Sequence, residues 1–156
     1  MLKTLTGDLF ASHAQALVNP VNCAGVMGKG VALEFKMRFP AMFHDYAQRC
    51  KRRSVRLGEP YAYRDGSGVL IVNFPTKGHW RSPSRLDDIG RGLDYLVDHV
   101  GDWDIQSLAL PALGCGNGGL AWADVGPLID RKLSSLSIDV ELYAPSGAKG
   151  SQLKIG

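Results

Sequence analysis

The segment Leu17–Gly30, with the sequence LVNPVNCAGVMGKG, restricts the possible fold more than any other part of the chain. Its apolar start is typical of a strand, and the pattern of residues 31–39 after it is typical of a helix. The glycines between them are Gly25, Gly28 and Gly30. A strand, a glycine-rich loop and a helix in this order predict an anion site. Glycine lets backbone N–H groups approach a phosphate closely, and the helix N-terminus adds a partial positive charge.

A second glycine-rich loop, 113–119, also lies between an apolar strand and a helix. Two such loops in one small domain predict a ligand with two phosphates that are bound from both sides. The usual nucleotide motifs do not account for these loops. The chain has no GxxxxGK[ST], and the first loop lacks both GxGxxG and the acidic residue expected beyond it. The second loop matches GxGxxG in spacing, but only one strand follows it, so the match is weak.

The length of 156 residues and the hydrophobic content of 45% fit one domain with its own core. No apolar run approaches the roughly 20 residues of a membrane span, and the first residues lack the apolar segment of a signal peptide. We therefore expect a cytoplasmic protein with no membrane contact. Cys23, Cys50 and Cys115 are odd in number and widely spaced. We predict reduced thiols and no metal site.

Strand and helix signals alternate along the chain and predict an α/β fold with helices on both faces of a mixed sheet. Strands are predicted at 2–5, 16–18, 61–64, 69–74, 108–110 and 138–143, and helices at 31–39, 42–50, 86–100 and around 125–129. Ser84 is predicted to cap the third helix. Pro127 is predicted near the start of the fourth, where a missing N–H is tolerated. The domain is predicted to span 1–146, followed by a tail or the start of a linker to a further C-terminal region, 147–156.

Basic residues form two blocks although the net charge is only +3. The first block contains Arg49, Lys51, Arg52, Arg53 and Arg56, and the second contains Lys77, His79, Arg81 and Arg85. A solvated basic face explains the first block as well as a binding surface does. In the second block, Trp80 lies between cationic groups, a combination typical of single-stranded DNA binding. The open alternative is that Trp80 anchors its loop in the core.

These motifs together resemble the macrodomain family, the ADP-ribose-binding fold, over nearly the whole chain. The resemblance rests on Gly7-Asp8-Leu9, Val18-Asn19-Pro20-Val21-Asn22, the loop GVMGKGVA at 25–32, and Leu113-Gly114-Cys115-Gly116. The first loop resembles the branch that contains the terminal ADP-ribose glycohydrolases and the macrodomains of DarG antitoxins. The segment Asn73–Lys77 followed by His79-Trp80-Arg81 most resembles the DarG group. Members of that group remove ADP-ribose from thymidine bases of single-stranded DNA.

The resemblance implies a three-layer α/β/α fold with a central mixed six-stranded sheet. It implies an ADP-ribosyl glycohydrolase that needs no cofactor and acts as a monomer. The implied partners are ADP-ribose, ADP-ribosylated single-stranded DNA and a cognate ADP-ribosyltransferase toxin. Lys77 is implied as the catalytic residue. The implied ligand-binding residues are Asp8, Leu9, Asn22, Val26, Met27, Gly28, Lys29, Gly30, Val31, Thr76, Leu113, Gly114, Cys115, Gly116, Asn117 and Tyr143. The DNA contacts are expected from His79, Trp80, Arg81 and Arg85.

Several of these residues have a second interpretation that the residues alone leave open. Asp8 accepts a hydrogen bond from the adenine amino group in the resemblance, but it can also simply cap a following helix. Asn22 reaches the distal ribose in the resemblance, or it closes the preceding turn. Tyr143 lies at the adenine rim or in the strand core. Cys23 and Cys115 are interpreted as packed small hydrophobic residues rather than nucleophiles.

The role of Lys77 depends on its protonation. A lysine at a strand end is ordinarily a solvated charge, but Lys77 follows an apolar strand, and Arg81 lies nearby in the sequence. Burial and like charges lower a lysine pKa. Only the neutral amine is nucleophilic, and at a pKa of about 10.4 roughly one molecule in a thousand is neutral near pH 7. Attack on the anomeric carbon and electrostatic or acid assistance both remain open.

One departure from the branch distinguishes between its two groups. The glycohydrolases that act on protein carry an aspartate two residues after the GCG of the second loop, and here that position is Gly118. The departure favours the DNA-directed group. Removal of ADP-ribose from protein carboxylates or from O-acetyl-ADP-ribose, and non-catalytic ADP-ribose binding, are the alternatives.

Overall fold

A computed structural model describes residues 1–145 and 147. The six-stranded sheet has the order β1-β6-β5-β2-β4-β3, and only β3 is antiparallel to its neighbour. The strands are β1 Leu2–Leu5, β2 Ala16–Asn22, β3 Tyr61–Arg64, β4 Leu70–Lys77, β5 Ser107–Pro111 and β6 Asp139–Tyr143. The helices are α1 Gly30–Arg38, α2 Pro40–Lys51, α3 Leu86–His99 and α4 Trp122–Leu133, with a short 3-10 helix at Leu9–Ala11. Gly147 apart, the predicted tail 147–156 lies outside the described residues.

Both faces of the sheet are buried, which confirms the predicted three layers and mixed sheet. One face packs against α3 and α4, and the other packs against α1, α2 and the 3-10 helix. Side chains alternate between the faces along each strand, so that in β2 Val18 faces one core while Leu17 and Val21 face the other. A strand buried on both faces is largely apolar, as β4 is apart from Asn73, Thr76 and Lys77. No helix among residues 1–145 is long and apolar enough to cross a membrane.

The two central strands separate toward their carboxyl ends. β2 pairs with β5 only at Ala16 and Leu17, whereas its pairing with β4 continues as far as Asn22 opposite Lys77. The chain passes from β2 to β4 on one side and then returns through α3 to β5 on the other side. A parallel sheet with such a reversal of strand order has a crevice at the carboxyl ends of the two diverging strands. Both glycine-rich loops begin at this crevice.

Three local predictions are wrong, two of them because tertiary contacts override a local signal. β2 continues to Asn22 beyond the predicted end at Val18, since Asn19 is buried and donates to Asn73 Oδ1 at 3.0 Å. The turn that was the alternative role for Asn22 is therefore absent, because the strand continues through Pro20. Ser84 does not cap α3, because Arg85 is the N-cap residue and Ser84 is buried beneath the second loop. Pro127 lies more than a turn inside α4, where its exposed ring avoids the core.

Helix α3 packs so closely against β4 that one of its positions requires glycine, which can be tested. A Cβ on Gly92 would lie 2.8 Å from Phe74 Cε1 and closer still to Cζ, and that ring is fully buried. We expect Gly92→Ala to destabilise the protein by about 1–3 kcal/mol through overpacking. The unfolding temperature should fall by roughly 2–4 °C for each kcal/mol.

Gly90→Ala is the matched control on the same helix. A Cβ there would meet its nearest atom, Leu128 Cδ2, at an ordinary 3.9 Å. Alanine also favours the helix by about 0.5–1 kcal/mol over glycine, so this variant should unfold at the same or a higher temperature. Equal unfolding temperatures for the two variants in a calorimetric scan would show that the Phe74 ring makes room for a methyl group.

Candidate active site at the carboxyl edge of the sheet

The fold brings the predicted ligand-binding residues to one edge of the sheet. The carboxyl ends of parallel strands meet at the same edge, and the candidates follow the ends of β1, β6, β5, β2 and β4. Asp8 and Tyr143 lie at the β1–β6 end, and Lys77 lies at β4. With neighbouring strands about 4.8 Å apart, β6 and β4 are separated by roughly 14 Å. An extended ligand can therefore lie across the edge, with its middle over the crevice between β5 and β2.

Asn22 holds the first glycine-rich loop in shape. Its Oδ1 accepts from the backbone N–H of Ala24 at 2.9 Å and of Val26 at 3.4 Å, and its Nδ2 donates to the Val26 carbonyl at 2.8 Å. The Tyr46 hydroxyl, reaching over from α2, donates to Asn22 Oδ1 at 2.8 Å and to Asn22 O at 2.7 Å. Burial raises the Tyr46 pKa, so the phenol stays protonated and remains a donor.

The first loop presents backbone to solvent and keeps much of its side-chain bulk inside. Gly28, Lys29 and Gly30 are exposed, and α1 begins at Gly30 with its N-terminus at the crevice. Met27 is buried in the core beside Asn19. The side chains of Leu9, Thr76 and Leu113 are buried in the same way. These four residues can meet a ligand only through their backbone groups.

The second loop depends on the absence of a side chain at Gly118. A Cβ there would lie 2.5 Å from the Gly114 carbonyl oxygen and closer still to Ser84 Oγ. Ser84 lies beneath the loop and donates its backbone N–H to the Gly118 carbonyl at 2.9 Å. Gly114 has φ +77°, in the left-handed region that favours glycine. An aspartate at position 118 does not fit this loop.

Lys77 bridges the two sides of the crevice. Its Nζ donates to the Trp80 carbonyl at 3.0 Å and to the Asn117 carbonyl, in the second loop, at 3.3 Å. Burial lowers the Lys77 pKa below its ordinary value, and the positive charge of Lys29 lowers it further. A neutral amine has two N–H groups and can keep both bonds while its lone pair points away from them. The geometry is thus compatible with either protonation state.

The cysteines near the crevice are not activated. All three are free thiols, as predicted. Burial, followed by the effects of Cys50 and Asp88, raises the Cys23 pKa to about 11. Burial, followed by the effect of Asp124, raises the Cys115 pKa to about 11. A thiol with so high a pKa is a poor nucleophile at neutral pH. Within the described part of the chain, no group of His, Cys, Asp and Glu gathers that could hold a metal ion.

Trp80 is a surface residue and not a core anchor. Its side chain is 42% exposed. The His79 ring stacks on it with a centroid distance of 5.0 Å, and the Arg81 guanidinium lies 4.4 Å from the ring centroid. Arg85, at the start of α3, is also exposed. A nucleic-acid base can reach the indole by displacing one of its neighbours, or it can stack on the outer face of the guanidinium.

Asp8 and Tyr143 are next to each other at the other end of the edge, because Leu5 pairs with Tyr143 in the sheet. One Asp8 carboxylate oxygen accepts from the Phe10 N–H at 2.9 Å, which caps the 3-10 helix. The capping interpretation is therefore confirmed. Asp8 is also exposed, so its second carboxylate oxygen is free to accept a hydrogen bond from a ligand. The Tyr143 hydroxyl donates to Glu141 Oε1 at 3.2 Å.

Comparison with known proteins identifies the family. The family model for the Macro domain matches residues 18–129. The chain belongs to the macrodomain family. A DNA ADP-ribosyl glycohydrolase of Mycobacterium tuberculosis is 46% identical over 146 residues, which cover 91% of this chain and 42% of that relative. A DNA ADP-ribosyl transferase–DNA ADP-ribosyl glycohydrolase fusion protein of Thermosipho africanus is 40% identical over 162 residues, which cover 92% of this chain and 42% of that relative.

Solved macrodomains agree with the fold in detail. The macrodomain of Mycobacterium tuberculosis DarG has a TM-score of 0.91 at 45% identity, covering 94% of this chain and 99% of that chain. Thermosipho africanus DarTG, solved in complex with ADP-ribose, has a TM-score of 0.90 at 39% identity, covering 95% and 42%. The resemblance to the DarG group is confirmed. The chain spans 42% of the length of the two curated relatives described above.

The sequence interpretation missed the residues that support this macrodomain site from behind. Tyr46 orients Asn22, and Ser84 supports the second loop. Lys29 was expected as a ligand-binding residue, but its effect on the Lys77 pKa was not. Each acts through space across a separation of at least 24 residues in the chain. For Ser84, the available signal in the sequence was the pair of glycines Gly114 and Gly118, because glycine often stands where another residue packs closely against the backbone.

The effect of the Lys29 charge on the Lys77 pKa can be tested by substitution. Lys29→Gln removes a neighbouring positive charge and should raise the Lys77 pKa toward its ordinary value. Lys36→Gln, an exposed position in the last turn of α1, should leave it unchanged. An NMR titration of labelled lysine side chains, with the Lys77 resonance assigned from Lys77→Arg, measures both. An unchanged Lys77 pKa in Lys29→Gln would show that the two charges are not coupled.

Proposed function

We propose that this macrodomain is an ADP-ribosyl glycohydrolase that removes ADP-ribose from thymidine bases of single-stranded DNA. The observation that carries the proposal is Lys77, a half-buried amine with a lowered pKa, whose Nζ joins the segment after β4 to the second glycine-rich loop beside the crevice. The Mycobacterium tuberculosis relative, named a DNA ADP-ribosyl glycohydrolase, supports the substrate class.

The order of groups along the sheet edge matches the order of groups along ADP-ribose. Asp8 accepts from the adenine amino group, where a carboxylate is the right acceptor. The N–H groups of 28–30 and of the second loop at 114–117, with the N-terminus of α1, bind the diphosphate. In the second loop Gly116 and Asn117 are exposed, whereas Gly114 is buried and the Cys115 N–H already donates to the Ala112 carbonyl at 3.1 Å. The distal ribose then reaches the β2–β4 side of the crevice, where Lys77 lies. Its anomeric carbon carries the modified base.

The reaction breaks the bond between the anomeric carbon of the distal ribose and a thymine nitrogen. Water supplies the hydroxyl of the released ADP-ribose, and the thymine nitrogen gains a proton. As a neutral amine, Lys77 attacks the anomeric carbon, and water then hydrolyses the covalent intermediate. As an ammonium ion, it donates the proton to the leaving base. Both routes use the same position of Nζ.

Gly118 favours DNA over protein carboxylates as the substrate. Glycohydrolases of the protein-directed group carry an aspartate at that position. Here a side chain at position 118 would collide with the Gly114 carbonyl and with Ser84. The aspartate-assisted route is therefore unavailable to this loop. The exposed His79-Trp80-Arg81 surface beside Lys77 favours a nucleic acid over a protein substrate.

We further propose an antitoxin role in which a cognate ADP-ribosyltransferase toxin makes the substrate. The Thermosipho africanus relative joins a DNA ADP-ribosyl transferase and a DNA ADP-ribosyl glycohydrolase in one chain. Enzymes that add and remove the same group act on one product, so their joint occurrence supports opposing roles. Residues 1–146 are then the glycohydrolase domain of such a protein.

Replacing Lys77 separates catalysis from binding. Lys77→Ala should abolish release of ADP-ribose from an ADP-ribosylated oligonucleotide, measured by chromatography. The affinity for free ADP-ribose, measured by calorimetry, should change by no more than a few-fold. Lys36→Ala is the control and should be fully active. Full activity of Lys77→Ala would remove Lys77 from the mechanism.

Lys77→Arg tests whether positive charge alone assists the reaction, because arginine keeps the charge and the donors but neither becomes neutral nor gives up a proton at accessible pH. If the neutral amine attacks, or if the ammonium must donate its proton to the leaving base, this variant is as inactive as Lys77→Ala. If the ammonium assists electrostatically, part of the activity remains.

The DNA surface has its own test. Trp80→Ala should weaken binding of an ADP-ribosylated oligonucleotide by about 1–3 kcal/mol, the value of one base stack, and should leave binding of free ADP-ribose unchanged. Added salt should weaken binding of the oligonucleotide more than binding of ADP-ribose, because phosphate contacts release counterions. Equal effects on the two ligands would favour the protein-carboxylate alternative, and ADP-ribose binding without turnover of either substrate would favour a non-catalytic reader.

A further inference from the structure

The first basic block lies at the same edge of the sheet as Lys77, although the two are far apart in the sequence. Helix α2 runs toward this edge, since Tyr46 on it bonds to Asn22 at the end of β2. In the next turn, Cys50 lies against the first loop, with its Cβ 3.5 Å from the position that a Cβ on Gly25 would occupy. The block Lys51–Arg56 follows directly and therefore borders the site.

The first loop contacts both the end of α2, which this block follows, and the Lys77 segment. The Cys23 N–H donates to the carbonyls of Lys77 and Gly78, each at 3.2 Å. α2 covers one face of the sheet, whereas the segment 78–85 leads to α3 on the opposite face. Lys77, at the end of the strand between them, is therefore flanked by a basic segment on each side.

The charges of the block are not neutralised within the described residues. Arg49 pairs with Asp45 at 2.8 Å and lies over the Tyr61 ring, so it has a structural role. Lys51, Arg52, Arg53 and Arg56 are exposed and form no salt bridge in the part of the chain that the structure describes. Between Asp45 and Asp65 the sequence contains one carboxylate, that of Glu59.

Arg53 has a backbone conformation that ordinarily belongs to glycine. It has φ +58° and follows the C-cap of α2. The Arg53 N–H bonds to the Cys50 carbonyl and the Ser54 N–H to the Arg49 carbonyl, each at 3.0 Å, which is the Schellman pattern. An arginine there carries a steric cost that glycine avoids. Its exposed side chain forms no ion pair among the described residues that would offset this cost.

We propose that Lys51, Arg52, Arg53 and Arg56 bind the phosphates of the single strand on one side of the modified base, while the Trp80–Arg81 segment binds the other side. The proposal rests on the DNA glycohydrolase function proposed above. A strand whose modified base sits at Lys77 must leave the crevice in two directions, and each direction leads onto exposed cations. A row of unpaired cations matches the regular negative charge of a phosphate backbone.

The test uses a charge-matched pair of variants and two substrates. Lys51→Gln/Arg52→Gln removes two positive charges from the block. Arg64→Gln/Arg131→Gln removes the same charge at the opposite edge of the sheet, at the ends of β3 and α4. Turnover is measured with an ADP-ribosylated oligonucleotide and with ADP-ribosylated thymidine. Binding of the unmodified oligonucleotide is measured by fluorescence anisotropy.

The block variant should raise KM for the oligonucleotide by roughly ten-fold or more and leave KM for ADP-ribosylated thymidine unchanged. The slope of log affinity against log salt concentration should become shallower by about 0.7 for each phosphate that the protein no longer neutralises. The control variant should change neither KM. If the block and control variants behave alike while both substrates are turned over, this surface does not bind DNA and the glycohydrolase function stands.

Arg53→Gly distinguishes a binding role from a structural one. Glycine removes the steric cost at φ +58°, so the unfolding temperature should stay the same or rise while affinity for the oligonucleotide falls. Unchanged affinity would remove Arg53 from the proposed surface.

The anisotropy measurement keeps the two proposals separate. Loss of oligonucleotide affinity in the block variants of a protein that turns over neither substrate would support the DNA surface and refute the enzyme. An equal loss of binding to polyglutamate would identify a general polyanion surface and overturn the assignment to nucleic acid.

Discussion

The separation of β2 from β5 is the constraint on which the rest of the site depends. Their ladder ends at Leu17, so the carboxyl ends diverge and leave room for a glycine-rich loop on each side of a crevice. The pairing of β2 with β4 continues, and it places Asn22 opposite Lys77. One strand therefore opens the crevice on its first side and positions the candidate catalytic lysine on its second.

In both loops, exposed residues lie at the crevice, at 28–30 and at 116–117, and buried residues fix the loop conformation from behind. The side chains of Asn22 and Tyr46 hold the first loop, and the backbone N–H of Ser84 supports the second. This arrangement explains why glycine is needed where the loops pack most tightly. At Gly118 a side chain would collide with the support and the loop together. The loop that Ser84 supports therefore excludes the aspartate of the protein-directed group.

Positive charge at the edge acts on Lys77 and on any anion that enters the crevice. The half-buried Lys77 has a lowered pKa because of burial and because of Lys29. The same cations favour an anionic ligand with a diphosphate, and clefts lined with one sign of charge raise the local concentration of an oppositely charged substrate. Many of the carboxylates lie elsewhere, including Asp94, Asp98 and Asp102 at the end of α3 and beyond it, away from the crevice.

The sequence by itself determined the alternating strands and helices, both glycine-rich loops and the position of Lys77 at a strand end, because these features are encoded by short-range periodicity and by glycine spacing. Only the tertiary structure decided where β2 ends, why Ser84 is buried, and that the basic block after α2 borders the site. Asn19 extends β2 by donating a hydrogen bond to Asn73, and Ser84 lies under a loop that follows much later in the chain. Such contacts join residues distant in sequence, and local propensity carries no information about which of them will meet.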